Sequence, residues 1–194
     1  MLVVSCHPLP DSLIGAARER TLAGLERTSA EVRHRDLYVE GFVPELSADE
    51  HRHHIEPGVS DDVRDHADDL RWCDTLVLVY PTWWSGQPAM LKGWFDRVWA
   101  SGVAFDLPPG ASTIRPRLQN IRHLVAVTSH GSSRFLNGIQ GPTGRRTFFR
   151  WLRVLCHPLA RCHWIAFYGV DTRPDTDRAE FLDRVEERIA DLCG

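Results

Sequence analysis

The sequence lacks the features that would associate it with a membrane or with nucleic acid. No apolar run approaches the roughly 20 residues that are needed to span a bilayer. The formal net charge of −3 provides no cationic surplus for nucleic acid or for an anionic membrane surface. The N-terminus has no basic segment ahead of an apolar one, so we expect no signal peptide. We therefore predict no membrane insertion and no nucleic-acid partner.

Cysteine is scarce and shows no metal-binding pattern. The five cysteines include no Cys-x-x-Cys pair; they are Cys6, Cys73, Cys156, Cys162 and Cys193. An odd number of cysteines without that spacing disfavours both a disulfide framework and a structural zinc site. We expect reduced, mostly buried thiols in a cytoplasmic protein.

Histidine is more abundant, and its densest patch lies between Glu50 and Ile55. His51 and His54 could share one face of a helix and bind a metal there. No cysteine or paired carboxylate lies nearby to complete a set of ligands. A solvated loop or helix end is therefore the favoured interpretation, and we predict no metal site.

Two motifs of common α/β enzymes are also missing. No Gly-x-Gly-x-x-Gly follows the first apolar segment, which disfavours a nicotinamide-binding Rossmann domain. No Gly-x-Ser-x-Gly nucleophile turn is present either. Cys6, His7 and Asp11 lie close together, but a cysteine inside a buried strand is poorly placed as a nucleophile. The sequence therefore disfavours a hydrolase.

What the sequence contains is an alternation of short apolar segments with amphipathic ones. Strands are predicted at 2–6, 31–37, 75–79, 123–128 and 163–168, and helices at 13–27, 59–72, 88–100, 145–156 and from 174 onward. The segments 38–58 and 101–120, and a stretch with Gly138 and Gly141, are predicted as irregular. This pattern predicts an α/β protein with a five-stranded parallel sheet covered by helices on both faces. We expect the flavodoxin-like strand order 2-1-3-4-5, in a single domain that spans 1–194.

Three loops are expected to meet at the carboxyl edge of this sheet. The first, His7 to Ile14, offers the Ser12 hydroxyl and the free amides of a helix start, which suit a phosphate. The second, Pro81 to Gly86, offers the indoles of Trp83 and Trp84 as stacking surfaces. The third, Thr128 to Ser133, offers small polar residues and Gly131, which permits a close backbone approach. A phosphate site, an aromatic wall and a row of amides suit a flavin mononucleotide moiety.

Each of these features also has a purely structural interpretation. Ser12 is a helix cap, whether or not it touches phosphate. Trp94 and Trp99 share a helix face and are expected in the core. Trp83 and Trp84 lie beyond the strand, where burial is harder to arrange, so a functional role is favoured for them. His130 is either a proton donor or an ordinary loop residue. Arg145 and Arg146 could attract a phosphate, but a solvated helix start is favoured.

The segment from Tyr80 to Val98 resembles the signature of the NAD(P)H:quinone oxidoreductases with the flavodoxin-like fold. Its Pro-Thr-Trp-Trp and Pro-Ala-Met-Leu-Lys-Gly-Trp-Phe-Asp-Arg-Val are similar to that signature, and weaker similarity extends to His7–Ser12, to Val127–Gly131 and to Gly138–Gly141. This family includes the DT-diaphorase type, the modulator-of-drug-activity-B type and the reductases that are ancillary to potassium efflux systems.

The resemblance implies FAD, with FMN as the alternative, and NAD(P)H as the co-substrate. It also implies a homodimer with its sites at the subunit interface and a quinone-like acceptor. The residues that it places against the flavin are His7, Ser12, Leu13, Ile14, Pro81, Thr82, Trp83, Trp84, Ser85, Thr128, Ser129, His130, Gly131 and Phe135.

The sequence departs from the family at three points. Ile14 stands where the family's phosphate loop often has an asparagine. Phe135 and Gln140 stand where the DT-diaphorase type has a tyrosine and a histidine that are proposed to relay protons. His130 replaces the first glycine of a Gly-Gly pair, so His130 or water would supply the proton.

The expected function is two-electron transfer from NAD(P)H through the flavin to a quinone-like acceptor, in a ping-pong sequence. Two alternatives stay open. One is a flavin-binding electron carrier, or an ancillary subunit of a transporter, without substrate turnover. The other is a reductase of azo, nitro or chromate compounds.

Overall fold

The structure, a computed structural model, describes residues 1–193. Gly194 of the predicted 1–194 domain, and the side chain of Cys193, lie outside this description. The strands are β1 (Leu2–Ser5), β2 (Arg33–Asp36), β3 (Thr75–Pro81), β4 (Phe105–Asp106), β5 (Arg115–Pro116), β6 (His123–His130) and β7 (Arg161–Tyr168). The α-helices are α1 (Leu13–Glu26), α2 (Ala48–His53), α3 (Arg64–Trp72), α4 (Ala89–Val98), α5 (Arg134–Gln140), α6 (Thr143–Arg146) and α7 (Asp175–Cys193).

Five strands form one parallel sheet in the order β2-β1-β3-β6-β7. β6 and β7 are the fourth and fifth strands of this sheet along the chain, so the order is the predicted 2-1-3-4-5. The prediction of the α/β fold class is confirmed. The three central strands are almost wholly buried because both faces of the sheet are covered, as is typical of parallel sheets. The strands β4 and β5 form a separate antiparallel pair.

The two faces of the sheet bury separate apolar clusters. On one face α1 and α7 pack against strand residues that include Val3, Val77 and Val125. On the other face α3, α4 and the segment 148–155 pack against the alternate strand residues, which include Val4 and Leu78. Because successive side chains of a strand point to opposite faces, each apolar strand supplies both clusters.

The predicted core positions of two tryptophans are confirmed. Trp94 is fully buried, and Trp99 is 6% exposed, with the two ring centroids 6.3 Å apart. Trp83 and Trp84 lie outside both clusters, on the surface beyond β3.

Several boundaries differ from the predictions. β3 continues through Pro81, where the sequence predicts its end, because Pro81 pairs with Ser129 and the next amide, that of Thr82, donates to the Ser129 carbonyl. β6 continues to His130 rather than ending at Thr128, because its polar end is paired with β7 and buried. The helix predicted at 145–156 is instead α6 followed by a π-helical turn and a 3₁₀ turn.

Two segments that are irregular by prediction contain helices. The loop around Gly138 forms α5, which Ser133 caps by accepting a hydrogen bond from the Leu136 amide at 3.2 Å. The connection 38–58 includes α2, which is capped by Ser47 and Glu50 together. No helix within residues 1–193 combines the length and the hydropathy that a membrane crossing requires.

Candidate functional site

The candidate site lies at the carboxyl edge of the sheet. β1, β3 and β6 are neighbours and run parallel, so the segments that follow them leave from the same edge. β2, the next strand in the chain, lies on one side of β1, and β3 lies on the other side, so the strand order reverses at β1. Such a reversal of strand order opens a crevice in which α/β proteins bind ligands.

The first loop is held by His7 and Ser12. The Leu9 amide donates to His7 Nδ1 at 3.1 Å, and the Ser12 hydroxyl lies 2.9 Å from the same nitrogen. The Ser12 hydroxyl caps α1 by accepting from the Gly15 amide at 3.0 Å. The first turn of α1 contains no acidic side chain, and the earliest amides of a helix have no acceptor within it. This helix start is therefore suited to an anion.

The second loop is a tight turn around Trp84 and Ser85. Trp83 and Gly86 exchange backbone hydrogen bonds of 3.1 and 3.0 Å across it. Trp84 and Ser85 have φ values of 50° and 60°, a left-handed conformation that is costly for a tryptophan.

This strained turn is held in place by α6. The Ser85 carbonyl accepts hydrogen bonds from the Gly144 amide at 2.7 Å and from the Thr143 hydroxyl at 2.6 Å. The turn presents its indole to solvent, since the Trp84 side chain is fully exposed, at 102% of its reference area, and Trp83 is 43% exposed. The rings of His7 and Trp83 lie 6.4 Å apart, so the first and second loops meet at this pair.

The third segment is the buried end of β6 rather than a free loop. Thr128 is fully buried, and its hydroxyl lies 3.1 Å from that of Thr82. The Ser129 carbonyl accepts from the Thr82 amide at 2.8 Å. These contacts bind the ends of β3 and β6 together beneath the candidate site.

His130 is buried and neutral at pH 7. Its exposed fraction is 4%, and burial lowers its pKa to about 4. The Asn137 amide lies 3.2 Å from Nδ1 and donates to it, so the ring proton is on Nε2, 3.5 Å from the Thr82 hydroxyl. The ring stacks on Tyr168, with the centroids 4.5 Å apart. His130 can therefore offer a neutral N–H, but it is not an imidazolium near neutral pH.

These segments surround a cavity of about 410 Å³. Five of the predicted residues line it: Thr82, Trp84, Ser85, His130 and Gly131. Ser132, Asn137 and Gln140 complete the lining, so all of its polar groups are uncharged at neutral pH. The volume lies in the range of small-molecule sites. Among the described residues, no three His, Cys, Asp or Glu side chains are placed to hold a metal ion.

The other predicted site residues lie around this cavity rather than in its lining. Pro81, Thr128 and Ser129 are buried in the strand ends. Ser12 and Leu13 lie at the start of α1, and Ile14 is 3% exposed and packs in the core. Phe135 lies on α5 and is 79% exposed.

The sequence interpretation missed Asn137 and Tyr168, which position the His130 ring. A signal for Asn137 is present, because Ser133 and Gly141 are typical of the cap and the end of a short helix. A helix between them places Asn137 one turn after its cap. Nothing in the sequence marks Tyr168 as a partner of His130.

The sequence matches the flavodoxin-like fold family over residues 1–189. The chain belongs to this family. A curated relative, the ribosyldihydronicotinamide dehydrogenase-like protein traD of Penicillium crustosum, is 30% identical over 55% of this chain and 46% of its own length. The chain thus spans about half the length of that relative.

Solved structures of the flavodoxin-like fold superpose on nearly the whole chain. The NAD(P)H:quinone oxidoreductase of Methanothermobacter marburgensis has a TM-score of 0.83 and 26% identity, over 98% of this chain and 95% of its own. An FMN-dependent NADH-azoreductase of Bacillus anthracis, solved in complex with FMN, has a TM-score of 0.76 over 100% of this chain and 98% of its own. At 15% identity, that second structure supports the fold alone.

Proposed function

We propose that this protein is a flavin-dependent NAD(P)H oxidoreductase that reduces quinone-like acceptors by two electrons. The observation that carries the proposal is the exposed Trp84 indole beside a neutral polar cavity at the carboxyl edge of the sheet. The similarity to a NAD(P)H:quinone oxidoreductase over nearly the whole chain supports the same function.

The residues present fit a flavin. An isoalloxazine ring has flat apolar faces and a polar edge, and the cavity combines an indole with uncharged hydrogen-bonding groups. The flavin phosphate requires a cationic or amide-rich site, and the start of α1 offers free amides without an acidic neighbour in its first turn. His7 and Trp83 connect the two regions.

The chemistry that a flavin supplies when bound is two-electron transfer from NAD(P)H to the acceptor. Trp83 and Trp84 would orient the ring by stacking. The Gly131 backbone would approach the polar edge closely, since it carries no side chain. His130 would offer its neutral Nε2–H as a hydrogen-bond donor towards Thr82 and the cavity, and water would supply the proton.

The finer features of the proposal follow from the same residues and from the family resemblance. We propose FAD, with FMN as the alternative, and a homodimer. The exposed apolar side chains Phe135, Leu136 and Ile139 of α5 suit burial by a second subunit. Four of the cysteines are free thiols, which supports a cytoplasmic location.

The test is to purify the protein, record its absorption spectrum and identify the extracted flavin by mass. NAD(P)H oxidation with menadione is then followed in the steady state. We expect a yellow protein with turnover that depends on the acceptor. Bound flavin without such turnover would favour an electron carrier or an ancillary subunit, and a protein that takes up no flavin on titration would overturn the proposal. Profiling with azo and nitro compounds would define the acceptor class.

A further inference from the structure

The acidic and basic residues are distributed very unevenly along the chain. The whole sequence has a net charge of −3, yet residues 107–170 contain nine arginines and no aspartate or glutamate. This segment includes β6, α5, α6 and β7, which border the candidate site. Much of the chain around the cavity is therefore strongly cationic, while the acidic residues lie in the rest of the sequence.

A second cavity, of about 340 Å³, adjoins the candidate site. Asn137 lines both cavities, so the two are direct neighbours. The second cavity is lined by Arg134 of α5 and Arg145 of α6, together with Trp164 and Tyr168 of β7. No carboxylate lines either cavity.

The two arginines are available to a ligand. Arg134 and Arg145 are both exposed, and within residues 1–193 neither forms an ion pair. The Arg145 guanidinium lies over the Phe149 ring, 4.8 Å from its centroid, which leaves its N–H groups free to donate.

Two carboxylates near the two cavities, Asp177 and Glu180, line a third cavity that also includes Arg134. In the neighbouring segment Asp175 and Asp177 pair with Arg178 and Arg173. Asp171 lies beside Gly131 without lining the first cavity. The positive charge of the second cavity is therefore not neutralised by the residues that line it.

We infer that Arg134 and Arg145 bind the 2′-phosphate of NADPH, and that the enzyme prefers NADPH to NADH. This inference rests on the proposed function, since it places the adenosine half of the hydride donor in the second cavity, next to the flavin that is proposed for the first. Two guanidinium groups in a cavity without carboxylates suit a dianionic phosphate, because arginine offers paired donors to phosphate oxygens. NADH has an uncharged 2′-hydroxyl in place of this phosphate, so the two arginines add little to its affinity.

The direct test measures binding and needs no turnover. Adenosine 2′,5′-bisphosphate and 5′-AMP differ only in the 2′-phosphate, and their affinities for the flavin-loaded protein are compared by calorimetry. We expect the bisphosphate to bind at least tenfold more tightly to the wild type. Arg134→Gln and Arg145→Gln should each remove most of that difference. Equal affinities in the wild type, or no binding of either nucleotide, would overturn the inference.

The matched control is Arg150→Gln, because Arg150 belongs to the same cationic segment and is exposed but lines neither cavity. It should retain the difference between the two nucleotides. If Arg150→Gln reduced it as much as Arg134→Gln does, general charge rather than this cavity would be responsible, and the inference would be wrong.

Kinetics separate this inference from the proposed function. With menadione as acceptor, the two cavity variants should lower kcat/KM for NADPH about tenfold and change that for NADH less than twofold. Equal losses with both donors would contradict a phosphate site. Absence of turnover with either donor would instead overturn the proposed function, while the calorimetric comparison would still decide between the two nucleotides.

Discussion

At the scale of single residues, Trp84 combines features that folding alone does not favour. Its backbone is left-handed and its indole is fully exposed. Turns of this kind usually contain Asn or Gly, and a large exposed apolar ring contributes nothing to the core. Both features are explained if the turn exists to present the indole to a ligand.

We therefore expect Trp84→Ala to weaken flavin binding about tenfold, as loss of one aromatic stacking contact would. The free energy of unfolding should change by less than about 0.5 kcal/mol, because the side chain is exposed. Flavin titration and urea unfolding provide the two measurements. Trp151→Ala is the control, since Trp151 is 72% exposed and does not line the cavity. Unchanged flavin affinity in Trp84→Ala would show that the indole has been assigned the wrong role.

The residues of the candidate site are predictable where each follows a strand. Trp83 and Trp84 can be located because the apolar run 75–79 ends just before them. His130 is harder, since a histidine beside Ser129 looks like a loop residue. It is buried because β7 continues alongside and places Tyr168 against the ring. Such a long-range contact leaves no local trace in the sequence.

At the scale of the elements, the start of α1 depends on a glycine. A Cβ on Gly15 would lie 1.9 Å from the Pro10 carbonyl oxygen. Since that oxygen belongs to the backbone, only a shift of the loop or of the helix could relieve the clash. The His7–Ser12 loop is therefore packed against α1 in a way that only glycine permits.

Gly15→Ala should displace this loop, lower the stability by about 2 kcal/mol through overpacking and weaken flavin retention. Gly138→Ala is the matched control, because Gly138 also lies in a helix but has nothing within 4 Å of its Cβ position. The control should be neutral or should stabilise by up to about 1 kcal/mol. Thermal unfolding of both variants, with and without added flavin, checks this. Equal stability of Gly15→Ala and Gly138→Ala would mean that the His7–Ser12 loop can shift without loss of folding free energy.

A buried arginine anchors the irregular segment that follows β2. The Arg97 side chain of α4 is 5% exposed and pairs with Glu50 and Asp62, each at 2.8 Å. It also donates to the Val43 carbonyl at 2.7 Å. Burial alone would raise the pKa of Glu50, but hydrogen bonds, among them those from Ser47 and Arg97, lower it to about 2.

Glu50→Gln should lower the free energy of unfolding by about 2 kcal/mol, because a charged hydrogen bond to buried Arg97 is lost. Urea unfolding at pH 7 measures the change. Glu45→Gln removes an exposed charge from the same segment and should have an effect below about 0.5 kcal/mol. If Glu50→Gln and Glu45→Gln unfold at the same urea concentration, the ion pair between Arg97 and Glu50 does not contribute to stability.

The elements are predictable to the extent that their residues repeat with a regular period. The core strands and α1, α4 and α7 have clear apolar patterns that predict them. The helix α5 escapes prediction because Gly138 and Gly141 suggest a loop, although Ser133 caps it. The π-helical turn at Thr147–Leu152 could not be predicted, since it has the same apolar spacing as a short α-helix.

At the scale of the whole molecule, the strand order is predictable because parallel strands with right-handed crossovers allow few arrangements. The same rule places the loops after β1, β3 and β6 together. The second cavity is not predictable, since Arg134 and Arg145 meet only after α5 and α6 fold back beside the end of β7. The sequence allows Arg145 as a phosphate ligand, but no pattern in it connects Arg145 with Arg134.

Two buried neutral histidines contribute to the response of the whole molecule to acid. His66 and His130 are 6% and 4% exposed. Burial lowers the pKa of both to about 4, with the charge of Arg35 adding to the effect at His66. An unfolded histidine has a pKa near about 6.5. Between about pH 4 and 6.5 the unfolded chain therefore binds more protons than the folded one, so its population rises as the pH falls.

We expect the contribution of these histidines to the free energy of unfolding to be constant above about pH 6.5 and to fall by roughly 1 kcal/mol per histidine for each pH unit below it. Urea unfolding from pH 4.5 to 8 measures the slope. His130→Asn lowers stability at every pH, but it should also reduce the slope, since one titrating group is gone. His53→Asn, which removes an exposed histidine, should leave the slope unchanged. Because carboxylates contribute equally in all three proteins, an identical slope in wild type and His130→Asn would mean that His130 has the same pKa in the folded and the unfolded protein.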